Sequence, residues 1–318
     1  MGRHVLVTGG AGFIGSHLVD AILADPDSRV TVLDRLSVGG SRENLAHLGD
    51  DGRLRLVVGD VRDAAALRPL VAETDAVVHA VAESHVDRSI AEPGAFLDVN
   101  AGGTLAVLEA CREAGRRLLM VSTDEVYGPN PGAAPMPEDA PLRPRSPYAA
   151  SKAAADLLCQ AWRATYGLDV TIVRGTNAYG PRQVERVVPT FAIAALRGEP
   201  LPLYGSGEQR REFLHVEDWA RGLLVALDRG APGEVYNIGS GTELANVDLA
   251  RRILALVGAP PDRIVSVPDR PGHDARYGVA DGKLRALGWA PRIGFDDGLA
   301  ATVAWYRANL DAVVARTP

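Results

Sequence analysis

Lysine is nearly absent from this chain of 318 residues, since Lys152 and Lys283 are the only lysines among its 34 basic residues. Arginine spreads its charge over a wide planar fork, whereas lysine carries a compact ammonium group on a flexible stem. A lysine kept within a chain so rich in arginine indicates a position that needs the compact group. Lys152 is therefore a candidate functional residue.

Cysteine, long apolar runs and excess positive charge are lacking too. The two cysteines, Cys111 and Cys159, have neither metal nor redox spacing, so we expect buried thiols in a reducing cytoplasm and no bound metal. No apolar run approaches the roughly 18 residues of a membrane span, and no signal peptide is recognised, which predicts a cytoplasmic protein without membrane contact. A net charge of −6 argues against nucleic acid as the main partner.

Glycine, in contrast, is concentrated near the start of the chain. An apolar strand pattern at residues 4–8 runs into a glycine-rich turn, and an amphipathic helix pattern follows. Such a turn allows close backbone approach to a pyrophosphate seated at a helix N-terminus. The GxxGxxG spacing alone is a weak signal, because ordinary glycine-rich turns share it. The residues expected to contact a dinucleotide here are Gly9, Gly12, Phe13, Ile14 and Gly15.

Acidic residues follow the next two strand patterns. Asp34 ends the second strand pattern about twenty residues beyond the glycines, where a carboxylate binds a ribose 2′-hydroxyl and repels a 2′-phosphate. NAD is therefore favoured over NADP, although Arg35 beside it is a residue that can accept the phosphate. Asp60 follows the third strand pattern and can reach the adenine edge, but an acid after a strand is as often a cap.

Strand and helix patterns alternate along the first half of the chain, which predicts an α/β fold with a Rossmann-type doubly wound parallel sheet. Prolines interrupt the pattern from about residue 176. We predict an NAD-binding domain over residues 1–175, with a segment at about 213–238 returning to it. Residues 176–212 and 239–318 are predicted to form a smaller C-terminal α/β substrate-binding lobe.

Two groups of polar residues suggest catalysis. Thr123, Asp124 and Glu125 directly follow an apolar run, and Tyr148 and Lys152 are four residues apart, hence on one face of a helix. An ammonium beside a phenol lowers the phenol's pKa, so Tyr148 is expected to take a proton from an alcohol while a hydride leaves its carbon. The two carboxylates could instead merely end a strand and cap a turn, but the downstream Tyr/Lys pair favours catalysis.

The motifs as a set resemble those of the extended short-chain dehydrogenase/reductases, and within them the dTDP-glucose 4,6-dehydratases. The resemblance covers almost the whole chain and rests on residues 9–15, 82–90, 122–128, 146–152, 236–239 and 270–277. It implies a lyase that retains NAD and acts on a nucleotide sugar.

The resemblance also implies a role for each catalytic residue. Tyr148 would deprotonate the sugar C4 hydroxyl, with Thr123 hydrogen-bonded to the same oxygen and Lys152 beside the phenol. Glu125 would remove the C5 proton while Asp124 protonates the departing C6 hydroxyl. Returning the hydride to C6 gives a 4-keto-6-deoxy sugar without net use of cofactor.

Binding residues and assembly are implied in the same way. Tyr148, Lys152, Val61, Ala80 and Ala82 would join the glycines, Asp34 and Asp60 at the cofactor. The helices predicted at residues 104–114 and 151–166 are apolar on more than one side, and in this family they pair across a dyad, which implies a homodimer. The residues implied in sugar or nucleotide binding are Ser84, His85, Arg88, Asn177, Arg211, Asn237, His273, Arg276 and Tyr277.

One segment departs from the family pattern and leaves alternatives open. Residues 177–186 are one residue shorter than usual and normally help to bind the nucleotide, so the identity of the base stays open. UDP-sugar 4-epimerases and UDP-glucuronate decarboxylases resemble this segment too and share the first oxidation step. They lack the Asp of the Asp/Glu pair, so Asp124 separates these alternatives. A catalytically idle NAD-binding module would need neither the Tyr/Lys pair nor the two carboxylates.

Overall fold

Apolar runs such as Val5–Val7 form the middle of a seven-stranded sheet in a computed structural model, which describes residues 2–130 and 132–316. Strands buried on both faces need continuous apolar runs, and all the neighbouring strands of this sheet are parallel. The strands are β1 His4–Thr8, β2 Arg29–Asp34, β3 Leu54–Val58, β4 Ala76–His79, β5 Arg117–Thr123, β6 Val170–Gly175, β7 Asn177–Tyr179, β8 Leu201–Tyr204, β9 Arg210–His215, β10 Val235–Ile238, β11 Glu243–Ala245 and β12 Ile264–Val267.

Helices cover this sheet and fill the smaller lobe. A π-helical turn, Asp98–Gly102, joins two of them into one longer helix, and no helix in the described ranges is long and apolar enough to span a membrane. The helices are α1 Phe13–Leu23, α2 Ala64–Ala72, α3 Val86–Ala91, α4 Pro93–Leu97, α5 Gly103–Ala114, α6 Pro147–Tyr166, α7 Val187–Arg197, α8 Val216–Arg229, α9 Asn246–Val257, α10 Gly282–Ala286, α11 Phe295–Ala308 and α12 Leu310–Val314.

Each face of the large sheet carries its own apolar core. On one face, α1 and α8 bury side chains such as Leu18 and Leu223 against the strands. On the other face, α2, α5 and α6 bury side chains such as Leu67 and Val107, together with Cys111. Helices on both faces of a parallel sheet make a doubly wound fold, so this prediction is confirmed.

The strand order of the large sheet indicates where a ligand can bind. The order is β3-β2-β1-β4-β5-β6-β10. From β1 the chain runs outward to β2 and β3, then returns to β4 beside β1 and runs outward in the opposite direction to β5, β6 and β10. A crevice forms outside the carboxyl ends of the strands at such a point. The residues that end the strands there are Thr8, Asp34, His79, Thr123 and Gly175.

A smaller group of strands and helices lies after β6. Strands β11, β9 and β7 form one small sheet and β12 and β8 another, and α7, α9 and α11 pack around side chains such as Phe191, Leu203 and Phe213. Between these elements, β10 pairs with β6 in the large sheet. The exact domain limits stay a prediction.

A buried ion pair ties α6 to the large sheet. Arg174 on β6 donates from Nε to the Asp156 carboxylate at 2.7 Å, and both side chains are almost completely buried. Arg174 also donates to the Tyr127 hydroxyl at 3.0 Å, and that hydroxyl donates to Asn237 at 2.7 Å. Asp156 lies one helical turn beyond Lys152, so this network fixes the helix that carries the Tyr/Lys pair.

Removing one partner of this pair should destabilise the fold strongly. We expect Asp156→Ala to lower the free energy of unfolding by about 3–5 kcal/mol, because the buried Arg174 guanidinium loses its counterion. Glu113→Ala, which removes a partner of Arg68 where both side chains are exposed, is the matched control and should cost about 0–1 kcal/mol. Urea denaturation measures both, and equal losses in the two variants would contradict the assigned importance of the buried pair.

Candidate active site

A cavity of about 270 Å³ opens at the carboxyl ends of the strands. It runs from the glycine turn to the end of β5 and on to the loop before α7. The predicted site residues that it brings together are Gly9, Gly12, Phe13, Ile14, Gly15, Asp34, Asp60, Val61, Ala80, Ala82, Ser84, Thr123, Asp124, Glu125, Tyr148, Lys152 and Asn177.

The glycine turn has the shape that a pyrophosphate requires. Gly9 has φ +76°, a conformation that favours glycine, and a Cβ on Gly15 would lie 2.1 Å from the Gly9 carbonyl oxygen. Helix α1 begins at Phe13, and Gly12 before it offers no side-chain cap to the first N–H groups. These groups therefore suit an anion that approaches the helix N-terminus.

The end of β2 fits the ribose of a dinucleotide without a 2′-phosphate. The Asp34 carboxylate is buried and accepts a hydrogen bond from the Ala11 amide at 3.0 Å, and burial raises its pKa. Arg35, the residue that could hold a phosphate, donates instead to Glu83 and lies 3.7 Å from Asp60. Both partners are carboxylates, so a phosphate would have to compete with two negative charges for this guanidinium.

Thr123 organises the turn that carries the two carboxylates. Its Oγ1 accepts a hydrogen bond from the Glu125 amide at 3.2 Å and donates to the Asp124 carboxylate at 3.2 Å. It thus caps the short 3₁₀ helix of residues 124–127. Asp124 and Glu125 are only 3% and 8% exposed. A turn at the surface would not bury two acids, so this turn does more than end a strand.

The Asp124 carboxyl group is in a site that favours its neutral form. Burial raises its pKa well above the usual range, and the neighbouring charge of Glu125 raises it further. Its Oδ2 atom is buried and has no hydrogen-bond partner among the described residues. The raised pKa favours the protonated form of Asp124, and its unpaired Oδ2 atom is available to a ligand in the cavity.

Tyr148 and Lys152 are both buried but do not act on one another as predicted. The Lys152 ammonium donates to the Val121 carbonyl oxygen at 2.8 Å, and burial lowers its pKa to about 8. Burial also raises the pKa of Tyr148 to about 12, and the cation that opposes this increase is Arg186. The Arg186 Cζ atom lies 5.5 Å from the centroid of the Tyr148 ring. The expectation that Lys152 lowers the phenol's pKa is therefore corrected.

Several cavity residues were missed by sequence reasoning. Ser122, Thr176 and Glu185 each have a buried side-chain oxygen without a hydrogen-bond partner among the described residues, and all three line the cavity. Unpaired buried oxygens in a cavity wall are expected where a polar ligand binds. Arg186 was missed too. The only signal for it was that residues 177–186 depart from the family pattern.

Three predicted substrate residues are engaged in contacts that support the site. Asn237 is buried and donates both amide hydrogens, to the carbonyl oxygens of Met136 and Ala280. His85 caps α3 by accepting from the Arg88 amide at 3.3 Å, and the Arg88 guanidinium pairs with Glu83 at 3.1 Å. None of the three lines the cavity, so their contact with a substrate stays a prediction.

The four remaining predicted residues form a cluster on β9 and the segment after β12. Arg211 is buried, donates to the Asp274 carbonyl oxygen at 2.9 Å and lies over the Tyr277 ring at 4.5 Å. His273 contacts Asp269 in the same segment, and Arg276 pairs with Glu243 on β11. The negative charge of Glu125 acts on the pKa of both Arg211 and Tyr277, so the cluster borders the carboxylate end of the cavity.

Known proteins share both the sequence and the structure of this chain. The sequence profile of the NAD dependent epimerase/dehydratase family matches residues 5–239. A dTDP-glucose 4,6-dehydratase of Streptomyces niveus is 48% identical over 313 residues, which are 96% of this chain and 93% of the relative.

Two solved structures illustrate the likeness. DesIV, a dTDP-glucose 4,6-dehydratase of Streptomyces venezuelae whose double mutant was solved with NAD and DAU bound, has a TM-score of 0.96 at 47% identity, covering 98% of this chain and 99% of that one. A UDP-glucose 4-epimerase of Thermotoga maritima has a TM-score of 0.89 at 32% identity, covering 96% and 99%. The predicted family is confirmed, and the chain belongs to the NAD dependent epimerase/dehydratase family.

Proposed function

We propose that this protein is a hydro-lyase that converts dTDP-glucose to its 4-keto-6-deoxy sugar with retained NAD. The observation that carries the proposal is the pair of adjacent buried carboxyl groups of Asp124 and Glu125, and burial raises the pKa of Asp124. Removing water across C5 and C6 needs one acid and one base at the same time. The high identity to dTDP-glucose 4,6-dehydratases supports the choice of substrate.

The residues of the cavity fit the cofactor. The glycine turn would hold the pyrophosphate and Asp34 the ribose, while the engagement of Arg35 by two carboxylates favours NAD over NADP. NAD⁺ held there would supply the acceptor for the C4 hydride and the donor that returns it to C6. The orphaned oxygens of Ser122 and Thr176 are available to polar groups of the cofactor or the sugar.

Each catalytic side chain would act at one position of the sugar. Tyr148 takes the proton of the C4 hydroxyl, and the Thr123 hydroxyl binds the same oxygen. Glu125 then removes the proton from C5, which the neighbouring ketone has made acidic. Asp124, whose pKa is raised by burial, delivers a proton to the departing C6 hydroxyl. Lys152 fixes α6 to β5 through the Val121 carbonyl oxygen and so positions Tyr148.

The nucleotide end of the substrate would lie toward the smaller lobe. Asn177 and Ser84 line the cavity near the sugar, and Arg211 borders its carboxylate end. Arginine is well suited to a diphosphate because its planar fork matches phosphate geometry. His273, Arg276 and Tyr277 would then contact the base, with residues 176–212 and 239–318 acting as the substrate-binding lobe.

A UDP-sugar 4-epimerase is the second candidate, favoured by the likeness to the Thermotoga maritima enzyme. Epimerisation at C4 requires oxidation and reduction by the same hydride but no acid for a leaving hydroxyl. An acid such as Asp124, with a raised pKa and an unpaired oxygen, has no task in that reaction, so the dehydratase is preferred. A UDP-glucuronate decarboxylase is less favoured for the same reason.

The products from three nucleotide sugars test the proposal. Purified protein is incubated with dTDP-glucose, UDP-glucose and UDP-glucuronate, and the products are identified by mass and by sugar analysis. We expect loss of water from dTDP-glucose and NAD as the nucleotide released on denaturation. Tyr148→Phe is the inactive control. Epimerised UDP-glucose, loss of carbon dioxide from UDP-glucuronate, or no turnover at all would each contradict the dehydratase assignment.

Substitutions in the triplet should stop the reaction at different steps. Asp124→Asn should still reduce bound NAD⁺ and then stall, because an amide is a poor proton donor to the leaving hydroxyl. Glu125→Gln should also permit oxidation but lose exchange of the C5 proton with solvent, whereas Tyr148→Phe should block the first step. Each overall rate should fall by about 10²–10⁴-fold.

Absorbance of enzyme-bound NADH after mixing with dTDP-glucose, together with deuterium uptake at C5, distinguishes these steps. An Asp124→Asn variant that dehydrates at nearly the wild-type rate would contradict the assigned role of Asp124.

We also propose that the protein is a homodimer in the cytoplasm, where nucleotide sugars and NAD are available. Helices α4, α5 and α6 pack side by side, and Leu97, Leu105 and Leu157 on them are 53%, 40% and 54% exposed. Val107, by contrast, is buried within the protomer. Large apolar side chains exposed on adjacent helices are typical of a surface that a second copy covers.

Charge placed on this helical surface should separate the protomers. We expect the double variant Leu105→Glu with Leu157→Glu to give a monomeric mass by light scattering at micromolar concentration, where the wild type gives a dimer. Val265→Glu, at a 46% exposed position on β12, is the matched control and should remain dimeric. A monomeric, fully active wild type would rule out the homodimer, and a dimeric double variant would rule out this surface.

A further inference from the structure

Arg186 occupies an unusual position at the carboxylate end of the cavity. It directly precedes α7 with φ +92°, a backbone conformation that non-glycine residues rarely adopt. Its guanidinium donates to the Ser84 carbonyl oxygen and lies 3.7 Å from Glu125. The same group lies over the Tyr148 ring. Strained backbone that persists at a site indicates that the surrounding contacts require it.

We infer that Arg186 is a catalytic residue that supplies the positive charge for the two bases of the proposed reaction, Glu125 and Tyr148. The inference rests on the proposed function, because only that reaction uses both groups as bases. An opposite charge within about 4–6 Å stabilises an ionised carboxylate and the ionised phenol that a proton acceptor must be. Asp124 makes no ion pair with Arg186 within the described ranges, and burial raises its pKa well above the usual range.

Arg211 is the other arginine near these groups, but its contacts differ. It donates to the carbonyl oxygens of Arg210 and Asp274 and stacks on Tyr277, and it makes no ion pair with Glu125 among the described residues. Lys152 is held by a carbonyl oxygen of β5. The other charged or titratable groups that face Glu125, Tyr148 or Arg186 are Asp124, Glu185, Arg211 and Tyr277.

Neutral and charged substitutions of Arg186 test this role. Arg186→Gln removes the charge and keeps most of the length, whereas Arg186→Lys keeps a charge. We expect kcat of Arg186→Gln at neutral pH to fall by about 10²–10³-fold, as for the loss of one preorganised electrostatic partner. Its KM should change much less, and Arg186→Lys should recover a large part of the lost rate.

The pH dependence separates a charge effect from a loss of shape. Tyr148 must be ionised to take a proton, and Arg186 is the cation that opposes the rise of its pKa, so loss of Arg186 favours the protonated phenol. The acidic limb of the kcat profile should therefore move to higher pH in Arg186→Gln, so that part of the lost rate returns as the pH is raised. An unmoved acidic limb, or an Arg186→Lys variant as slow as Arg186→Gln, would overturn the inference.

Arg182 offers a matched control in the same loop. It also has a positive φ, of 69°, but it pairs with Asp20 on α1 at 2.8 Å and does not line the cavity. Arg182→Gln should keep the wild-type kcat and acidic limb. An equal loss of kcat in both variants would mean that the arginines only anchor the loop. An unchanged kcat with a raised KM in Arg186→Gln would mean that Arg186 only binds the substrate. Either outcome would overturn the inference.

Thermal unfolding gives a readout that does not depend on turnover. Arg186→Gln leaves the Glu125 carboxylate without its cation, so its unfolding temperature should fall below that of the wild type. Adding Glu125→Gln should recover most of this loss if the two groups form a coupled pair. If the unfolding temperature of the double variant instead fell by the sum of the losses in the two single variants, Arg186 and Glu125 would not be a coupled pair.

The proposed function can fail separately. If the wild type reduces bound NAD⁺ but forms no dehydrated sugar, the dehydratase assignment fails. The Arg186 inference is then still decided by the unfolding temperatures of the single and double variants, and by comparing the rate of NAD⁺ reduction in Arg186→Gln with that in the wild type.

Discussion

The pairing of β5 between β4 and β6 is the constraint on which the site depends. Parallel neighbours align the carboxyl ends of the strands, so Thr123 is opposite Gly175 in the register of β5 with β6. The chain must then turn within the sheet edge, and the two residues after Thr123 are buried there. Helix α6 is held to the same strand by Lys152 and the Val121 carbonyl oxygen. The two carboxyl groups that follow β5 and the Tyr148 phenol on α6 therefore lie close together because β5 and α6 are fixed to each other.

Burial at this edge has electrostatic consequences. Two adjacent carboxyl groups taken out of water cannot both ionise at low cost, since desolvation and mutual repulsion favour a neutral form. The surrounding contacts are not symmetric: Asp124 contacts the Thr123 hydroxyl, whereas Glu125 lies beside the Arg186 guanidinium. Burial and the neighbouring Glu125 charge raise the pKa of Asp124 well above its usual range, whereas Glu125 has a guanidinium beside it. The environment thus distinguishes the two carboxyl groups, as the proposed elimination requires of an acid and a base.

The stability of the fold and the geometry of the site depend on the same buried polar network. Arg174, Asp156, Tyr127 and Asn237 form a buried chain of hydrogen bonds that joins β6, α6, the turn after β5 and β10. Buried ion pairs are costly to form, so their value is in fixing unique positions as much as in stability. Here the network includes Tyr127, which belongs to the same turn as Asp124 and Glu125. Asn237, which matches a family motif, is thus explained by support of the site.

The sequence by itself determined the parallel sheet, the glycine turn and the residues at the strand ends, because apolar periodicity and glycine placement are local properties. It also identified Thr123, Asp124, Glu125 and Tyr148, which lie in two short motifs. Only the tertiary structure decided which cation faces Tyr148. Lys152 is four residues away along the helix yet contacts a carbonyl oxygen, whereas Arg186 is 38 residues away and lies over the ring. The charge around a buried group depends on which segments pack together, and that information is not local.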